Sequence, residues 1–321
     1  MSGNRSAATG FVPVDPAMLQ VDTVVDFDLY IWSESQPEPI LYHDRNIRFL
    51  EEHRERLAQL GSNTLFTLAG EEHAIARYME HNLDKIVADP ALPTERKADA
   101  VYRSSVQLTE DIFAKPDAPE NFKRSEGLVT SAVSYIVQGK DAFHHLMSLT
   151  SYDYYTYTHS VDVCTMGLAL ANEVGLGGQA DIIDFGIGAL FHDVGKTKVD
   201  PRILNKRGPL DDAEWMQMKL HPEFGLTVIN PSSPFSAASK ALILEHHERL
   251  DGSGYPAGKK GDQIHEFARV AAIADVFDAL TTRRSYKSAA DTFQALKIMK
   301  AEVGNHFESA YFEAFVRLFG R

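Results

Sequence analysis

The chain of 321 residues is 44% hydrophobic and 24% charged, and 45 acidic against 32 basic side chains leave a net charge of −13. Such a length suggests about two domains, and the composition is that of a globular protein able to bury a sizeable core. The acidic balance argues against binding a nucleic-acid polymer through its backbone, but it leaves room for a small phosphate-containing ligand, because bound cations can reverse a local field.

No run of 18 or more apolar residues appears, so no membrane span is expected. Residues 1–10 lack the apolar stretch of a secretory signal and read as a short flexible tail. Cys164 is the only cysteine, which excludes an intrachain disulfide and fits a reducing cytoplasm.

In chain order, Phe11 to Val14 and Thr23 to Trp32 carry the β-branched and aromatic residues of strands. A turn-rich break at Ser33 to Pro39 precedes a short returning strand, Ile40 to Tyr42. Asp44 is placed to cap a helix running to Leu60, with Ile47, Leu50, Arg54, Leu57 and Leu60 on one stripe and Gly61 at its end. Asn63 to Leu68 reads as one more strand. This region, residues 1–90, is expected to be a small mixed α/β regulatory or dimerising domain without chemistry of its own. Residues 91–150 read as a helical linker, with Thr94 to Ala114 and Glu120 to Gln138 as helices separated by Pro116 and Pro119. The pair His144-His145 has no partner motif and reads as structural or exposed.

From Tyr152 the pattern is helical almost throughout, so residues 151–321 are expected to form an all-α bundle. Helices are expected over Tyr155 to Val174, Asp181 to Val194, Ser236 to Glu248, Glu266 to Thr281, Thr292 to Val303 and Ser309 to Phe319. Asp211 with Glu214 resembles a capping box opening a helix that ends near His221. The chain as a whole is expected to be mostly α.

Four fragments in this half supply imidazoles and carboxylates at helix ends. They are His159 in Tyr-Thr-His-Ser, His192-Asp193 followed by Gly195-Lys196, His246-His247-Glu248 followed by Asp251-Gly252-Ser253-Gly254-Tyr255-Pro256, and Asp275 in Ala-Asp-Val-Phe-Asp. Random cores do not gather so many unpaired polar groups, and facing helices of a bundle are where metal sites are built. Asp193 has two oxygens and can bridge two metals. Gly195 is expected to let the chain turn, and Lys196 to place a cation near the metal-bound ligand.

In their order these motifs resemble the HD-GYP family, a branch of the HD-domain metal phosphohydrolases, over roughly Tyr152 to Phe319. The resemblance implies an HD-type helical bundle that hydrolyses cyclic di-GMP. It implies His159, His192, Asp193, His221, His246, His247 and Asp275 as metal ligands. It further implies that Gly254, Tyr255 and Pro256 line the substrate pocket and that Arg284 and Lys287 grip phosphate. Some family members carry a glutamate four residues before the first histidine and use it for a third metal. Tyr155 stands there in this sequence, so two metals are expected. Arg283 and Ser285 flank Arg284 where the family more often has aspartate and proline, which alters the shape of the phosphate clamp.

The expected reaction is attack on phosphorus by a hydroxide activated between the two metals, with Asp193 bridging and Lys196 offsetting charge. Linear pGpG would form first, and GMP slowly. A donor set of five imidazoles and two carboxylates without thiolate suits iron or manganese, and the family tilts the choice toward iron. No organic cofactor is expected. Glu248 reads equally as a group orienting a ligand histidine and as a solvated helix end. Asp278 reads first as helix packing or capping, and His306 with Phe307 as structural. Two alternatives stay open: a non-catalytic cyclic dinucleotide sensor, and a phosphodiesterase for another cyclic dinucleotide. The middle helices could pair two chains, and a signalling protein could be a further partner.

Overall fold

The computed structural model describes residues 10–32, 38–61, 64–150, 156–282 and 290–320. It divides into two compact units, residues 1–107 and 108–321, with the boundary inside one long helix.

The first unit is built on short antiparallel strands. Strands β1 (Phe11–Val14), β3 (Leu29–Ile31), β4 (Ile40–His43) and β6 (Leu65–Leu68) form a sheet in the order β1-β6-β3-β4, while β2 (Thr23–Val25) pairs with β5 (Ile47–Phe49) as a separate ribbon. Helix α1 (Glu51–Leu60) precedes β6, and α2 (Glu72–His81) and α3 (Leu83–Ala88) follow it. Val14, Val25, Phe27, Leu29, Phe49 and Leu65 fill the core with Leu57 and Tyr78 from the helices. The Tyr78 hydroxyl accepts from Gln20 N (2.8 Å) and meets Thr23 Oγ1 at 2.6 Å, so its burial leaves no polar group wanting.

Two expectations for this unit are corrected. The run Thr23 to Trp32 is not one strand: it breaks after Val25 and contributes β2 and β3 to different sheets. The helix expected from Asp44 starts only at Glu51, because Ile47–Phe49 alternate as a strand, with Ile47 51% exposed and Phe49 fully buried. Asn46 turns the chain at φ 62° and donates to Val25 O at 2.6 Å, which closes the ribbon. Over Ile47 to Leu50 a two-residue and a 3.6-residue period fit equally well, and strand pairing decides between them. Gly61, at φ 62°, does end α1 with a left-handed cap.

Helix α4 (Thr94–Ala114) leads into the second unit, where α5 (Pro119–Ile136), α6 (Lys140–Leu149), α7 (Thr156–Glu173) and α8 (Gln179–Phe191) follow. Next come α9 (Pro201–Leu204), α10 (Asp212–Met218), α11 (His221–Val228), α12 (Ala237–Glu245) and α13 (Glu266–Thr281), and α14 (Thr292–Lys300) and α15 (Ser309–Phe319) complete the chain. Helix α7 buries every residue from Thr158 to Ala171, the polar His159, Ser160, Asp162 and Thr165 among them. It packs on α8 and α13, α8 also packs on α5 and α12, and α12 packs on α13. Each fully buried Leu, Ile or Phe here contributes roughly 1.5–3 kcal/mol, which gives the bundle the stability to hold polar groups in its interior.

Candidate metal centre

The histidines sit where these helices end or meet. His159 is on the buried face of α7, His192 follows the last residue of α8, His221 opens α11, His246 caps α12 with His247 next to it, and Asp275 lies in the middle of α13. The last carbonyls of a helix lack backbone partners, and three of these imidazoles satisfy them. His192 Nδ1 donates to Ala189 O (2.7 Å), His221 Nδ1 to Met218 O (2.8 Å) and His246 Nδ1 to Ile243 O (2.9 Å). A carbonyl only accepts, so Nδ1 carries the hydrogen and Nε2 keeps its lone pair. His159 Nδ1 lies 2.6 Å from Asp278 Oδ2, so the same tautomer is set there by a carboxylate.

Four Nε2 lone pairs therefore converge on Asp193. Its Oδ1 lies 3.2 Å from His221 Nε2 and 3.9 Å from His246 Nε2, and its Oδ2 lies 3.6 Å from His159 Nε2 and 3.5 Å from His192 Nε2. Asp275 spans a second gap, with Oδ1 3.0 Å from His159 Nε2 and Oδ2 3.6 Å from His247 Nδ1. Two groups result. Asp193, His221, His246 and His247 bring ligand-capable atoms within 4.8 Å of one another, and so do His159, His192 and Asp275.

This arrangement fits divalent cations. His192 Nε2 and Asp193 Oδ1 are buried without a hydrogen-bond partner among the described residues. His221 Nε2 and His246 Nε2 face each other at 3.2 Å, although both are acceptors. Protonating one of the two rings would make the contact a hydrogen bond, but burial and then the neighbouring His247, His192 and His221 push the pKa of His246 well down. A bound cation would satisfy both lone pairs at once. Metal–ligand bonds of about 2.0–2.2 Å place neighbouring octahedral donors roughly 3 Å apart, close to the spacings seen. Burial alone would raise the pKa of Asp193, but Lys196 above all, with His192 and His221, holds it well below the carboxylate range. The Lys196 ammonium contacts Asp193 Oδ2 directly.

Gly195 has a role other than the expected turn. It lies inside a 3₁₀ helix (Val194–Lys198), and a Cβ there would meet His221 O at 1.9 Å and Gly225 N at 2.4 Å. The glycine lets the segment bearing Asp193 press against the start of α11, which brings His221 to the cluster. Gly254 acts alike: a Cβ would lie 2.4 Å from Arg249 N. The loop is thus folded back on the end of α12, with Tyr255 N donating to His247 O at 3.2 Å. Neither reading of Glu248 holds. Its buried carboxylate accepts from Ala257 N (2.7 Å) and Lys259 N (3.0 Å), so it braces the loop. Glu245 adds contacts to Lys259 Nζ (2.6 Å) and His265 N (2.8 Å). The Tyr255 ring settles 4.7 Å from His247, inclined by 30°.

A cavity of about 1050 Å³ opens over the cluster. His159, His221, His247, Asp275 and Lys196 face it, as do Gly254 and Tyr255. Among the described residues Pro256 does not line it. Cations that the motif reading did not single out, Lys206, Arg207, Lys219 and Arg249, stand around it in a chain of net charge −13. His306 lines it too. Its ring stacks on Phe307 at 4.1 Å, and burial, helped by Arg249, lowers its pKa to about 4. Asp278 corrects the expectation of helix packing: it holds His159 and accepts from Thr282 Oγ1 at 3.0 Å. Its one-turn spacing from Asp275 was the only signal in the sequence. Arg284, Lys287, Arg283, Ser285 and Tyr155 lie outside the described residues.

Residues 158–310 match the family model described as HD domain. The chain is 38% identical over 193 residues to the cyclic di-GMP phosphodiesterase PA4108 of Pseudomonas aeruginosa, covering 60% of this chain and 46% of that protein. It is 36% identical to the 3′3′-cGAMP-specific phosphodiesterase 3 of Vibrio cholerae, covering 50% and 34%. It is 28% identical to the cyclic di-GMP phosphodiesterase response regulator RpfG of Xanthomonas campestris pv. campestris, covering 95% and 82%. The chain thus spans less than half the length of the first two relatives. Among solved structures, Bd1817, an HDG"Y"P protein from Bdellovibrio bacteriovorus, matches with a TM-score of 0.68 at 21% identity, covering 97% of this chain and all of that one, which shows a shared fold. The HD-domain match over residues 158–310, these relatives and the His-Asp and Gly-Tyr-Pro motifs in order support a likeness of this half of the chain to the HD-GYP family.

Proposed function

We propose that the chain is a metal-dependent phosphodiesterase that hydrolyses cyclic di-GMP to linear pGpG, and only slowly onward to GMP. The observation that carries this reading is Asp193, buried between two sets of imidazole lone pairs and in contact with His159, His221 and Lys196, which line a cation-ringed cavity. His159, His192, Asp193, His221, His246, His247 and Asp275 would hold two divalent ions; a donor set of nitrogen and carboxylate oxygen suits iron or manganese, and the family resemblance tilts the choice toward iron. Such ions supply Lewis acidity toward a phosphodiester oxygen and lower the pKa of water.

The chain's own groups would do the rest. Lys196, fixed on Asp193, presents a positive charge to the non-bridging oxygens, where negative charge builds up as phosphorus is attacked. Burial first, and then Asp275 and Asp193, raise the pKa of the Tyr255 phenol, so it stays protonated and can donate a hydrogen bond to the ligand. Arg284 and Lys287 would complete the grip on phosphate. Two relatives' names favour cyclic di-GMP and a third names 3′3′-cGAMP, so a mixed guanine–adenine dinucleotide is the second substrate to offer.

The test is hydrolysis of both dinucleotides by protein reconstituted without oxygen with ferrous iron or manganese. Rapid pGpG with little GMP supports the reading. Tight binding without turnover at full metal loading would instead make the protein a sensor.

A further inference from the structure

One wall of the cavity is built unlike the others. Helix α10 buries none of its seven residues, yet it sets Trp215 on the cavity with 45% of its surface exposed. Large aromatic side chains are normally buried where folding alone decides. Polar contacts hold this helix where a core does not: Asp211 accepts from Glu214 N at 2.9 Å, Glu214 accepts from Asp211 N at 2.8 Å, and the Lys206 ammonium pairs with Glu214. The Tyr255 ring stands 6.5 Å from the indole at 74°. Lys219 Nζ lies 5.9 Å from the Trp215 ring and 5.6 Å from the Tyr255 ring. The result is a fixed, half-exposed aromatic face with a cation beside it. A nucleobase has a π-face that stacks on such a surface, and the adjoining phosphate pairs with such a cation.

We propose that Trp215, with Lys219 beside it, is the stacking surface for one purine of the substrate, and that α10 is a recognition element. This rests on the reading of the cavity as a cyclic dinucleotide site; the other tryptophan, Trp32, belongs to the first unit.

The experiment pairs tryptophan fluorescence with kinetics. GMP should quench the emission of the full chain and ribose 5-phosphate should not. In Trp215→Phe the quench should vanish, leaving the Trp32 signal, while KM for cyclic di-GMP stays within about threefold because a phenyl ring still stacks. In Trp215→Ala, KM should rise about tenfold with kcat within twofold. Equal quenching by ribose 5-phosphate and GMP, or an unchanged KM in Trp215→Ala, would overturn the proposal. If the metal-loaded wild-type chain hydrolyses no cyclic dinucleotide, the assigned reaction fails by itself. The GMP quench then decides the stacking surface alone, its presence in support and its absence against.

Discussion

Replacing Asp278 by alanine tests whether the cluster is preorganised by groups that do not themselves touch a metal. Asp278 Oδ2 accepts from His159 Nδ1 at 2.6 Å, at a site where both side chains are almost fully buried. Removing it leaves Nδ1–H without its carboxylate, releases the ring, and lets the hydrogen move to Nε2, which then can no longer donate a lone pair. Losing a partner that orients a ligating histidine typically weakens metal affinity about 10–100-fold, or about 1.4–2.8 kcal/mol. The lost charge-assisted bond also costs about 1.5–3 kcal/mol of stability. Asp278→Asn should fall less, since its oxygen can still accept from Nδ1–H while its amide faces Thr282. Competition against a chromogenic chelator, with circular dichroism to confirm the fold, measures the effect. Manganese affinity in Asp278→Ala within twofold of wild type would show that His159 is held for the metal without Asp278.

Other outcomes follow from the same contacts. Gly195→Ala puts a methyl on two backbone atoms of α11, so thermal unfolding should drop by about 5 °C or more, since about 2 kcal/mol of strain corresponds to about 4–8 °C in a unit of this size; an unchanged midpoint would show that α11 can shift freely. Glu248→Gln can serve only one of the two backbone N–H groups of Ala257 and Lys259 well, so it should raise KM for cyclic di-GMP several-fold through a looser Tyr255 loop, and an unaltered KM would detach the loop from binding. Acid should destabilise the metal-free protein early. His247, lowered to about 3 chiefly by burial, and His246, also lowered well below its ordinary value chiefly by burial, stay neutral in the fold but take up protons near pH 6.5 when unfolded. Their share of stability is full above pH 6.5 and is lost as pH falls toward 3. At pH 5 the loss is about 2 kcal/mol for His247, with His246 adding in the same direction, read as a lower urea midpoint than at pH 7.5; an equal or higher midpoint would contradict the assignment.

Much of the cluster was legible in the sequence because His192-Asp193 and His246-His247 come as short motifs at helix ends, where free carbonyls take Nδ1 and turn Nε2 inward; His221 came only with the family resemblance. The helices Thr94–Ala114, Glu266–Thr281 and Ser309–Phe319 were equally legible from apolar periodicity with prolines, glycines and caps at their limits. What depends on tertiary distance was not. Asp278 is 119 positions from His159, and only its one-turn spacing from Asp275 sets it apart from an ordinary helical aspartate. Glu248 meets its two donors only because Gly254 folds the loop back, and Gly195 looks like a turn residue until the carbonyl of His221 is seen beside it. In the first unit, strands of three or four residues carry too few alternations to beat a competing helical period, and Ile47–Phe49 show the consequence.

The central claim is that Asp193, between its two sets of imidazoles, is the heart of a hydrolytic centre. The most direct measurement is turnover of cyclic di-GMP by wild-type and Asp193→Ala protein after anaerobic reconstitution, with metal content determined on the same samples. The account predicts about two metal ions per wild-type chain, rapid pGpG with little GMP, and loss of both metal and product in Asp193→Ala. Full metal loading of the wild-type chain with no product, or undiminished turnover by Asp193→Ala, would contradict it.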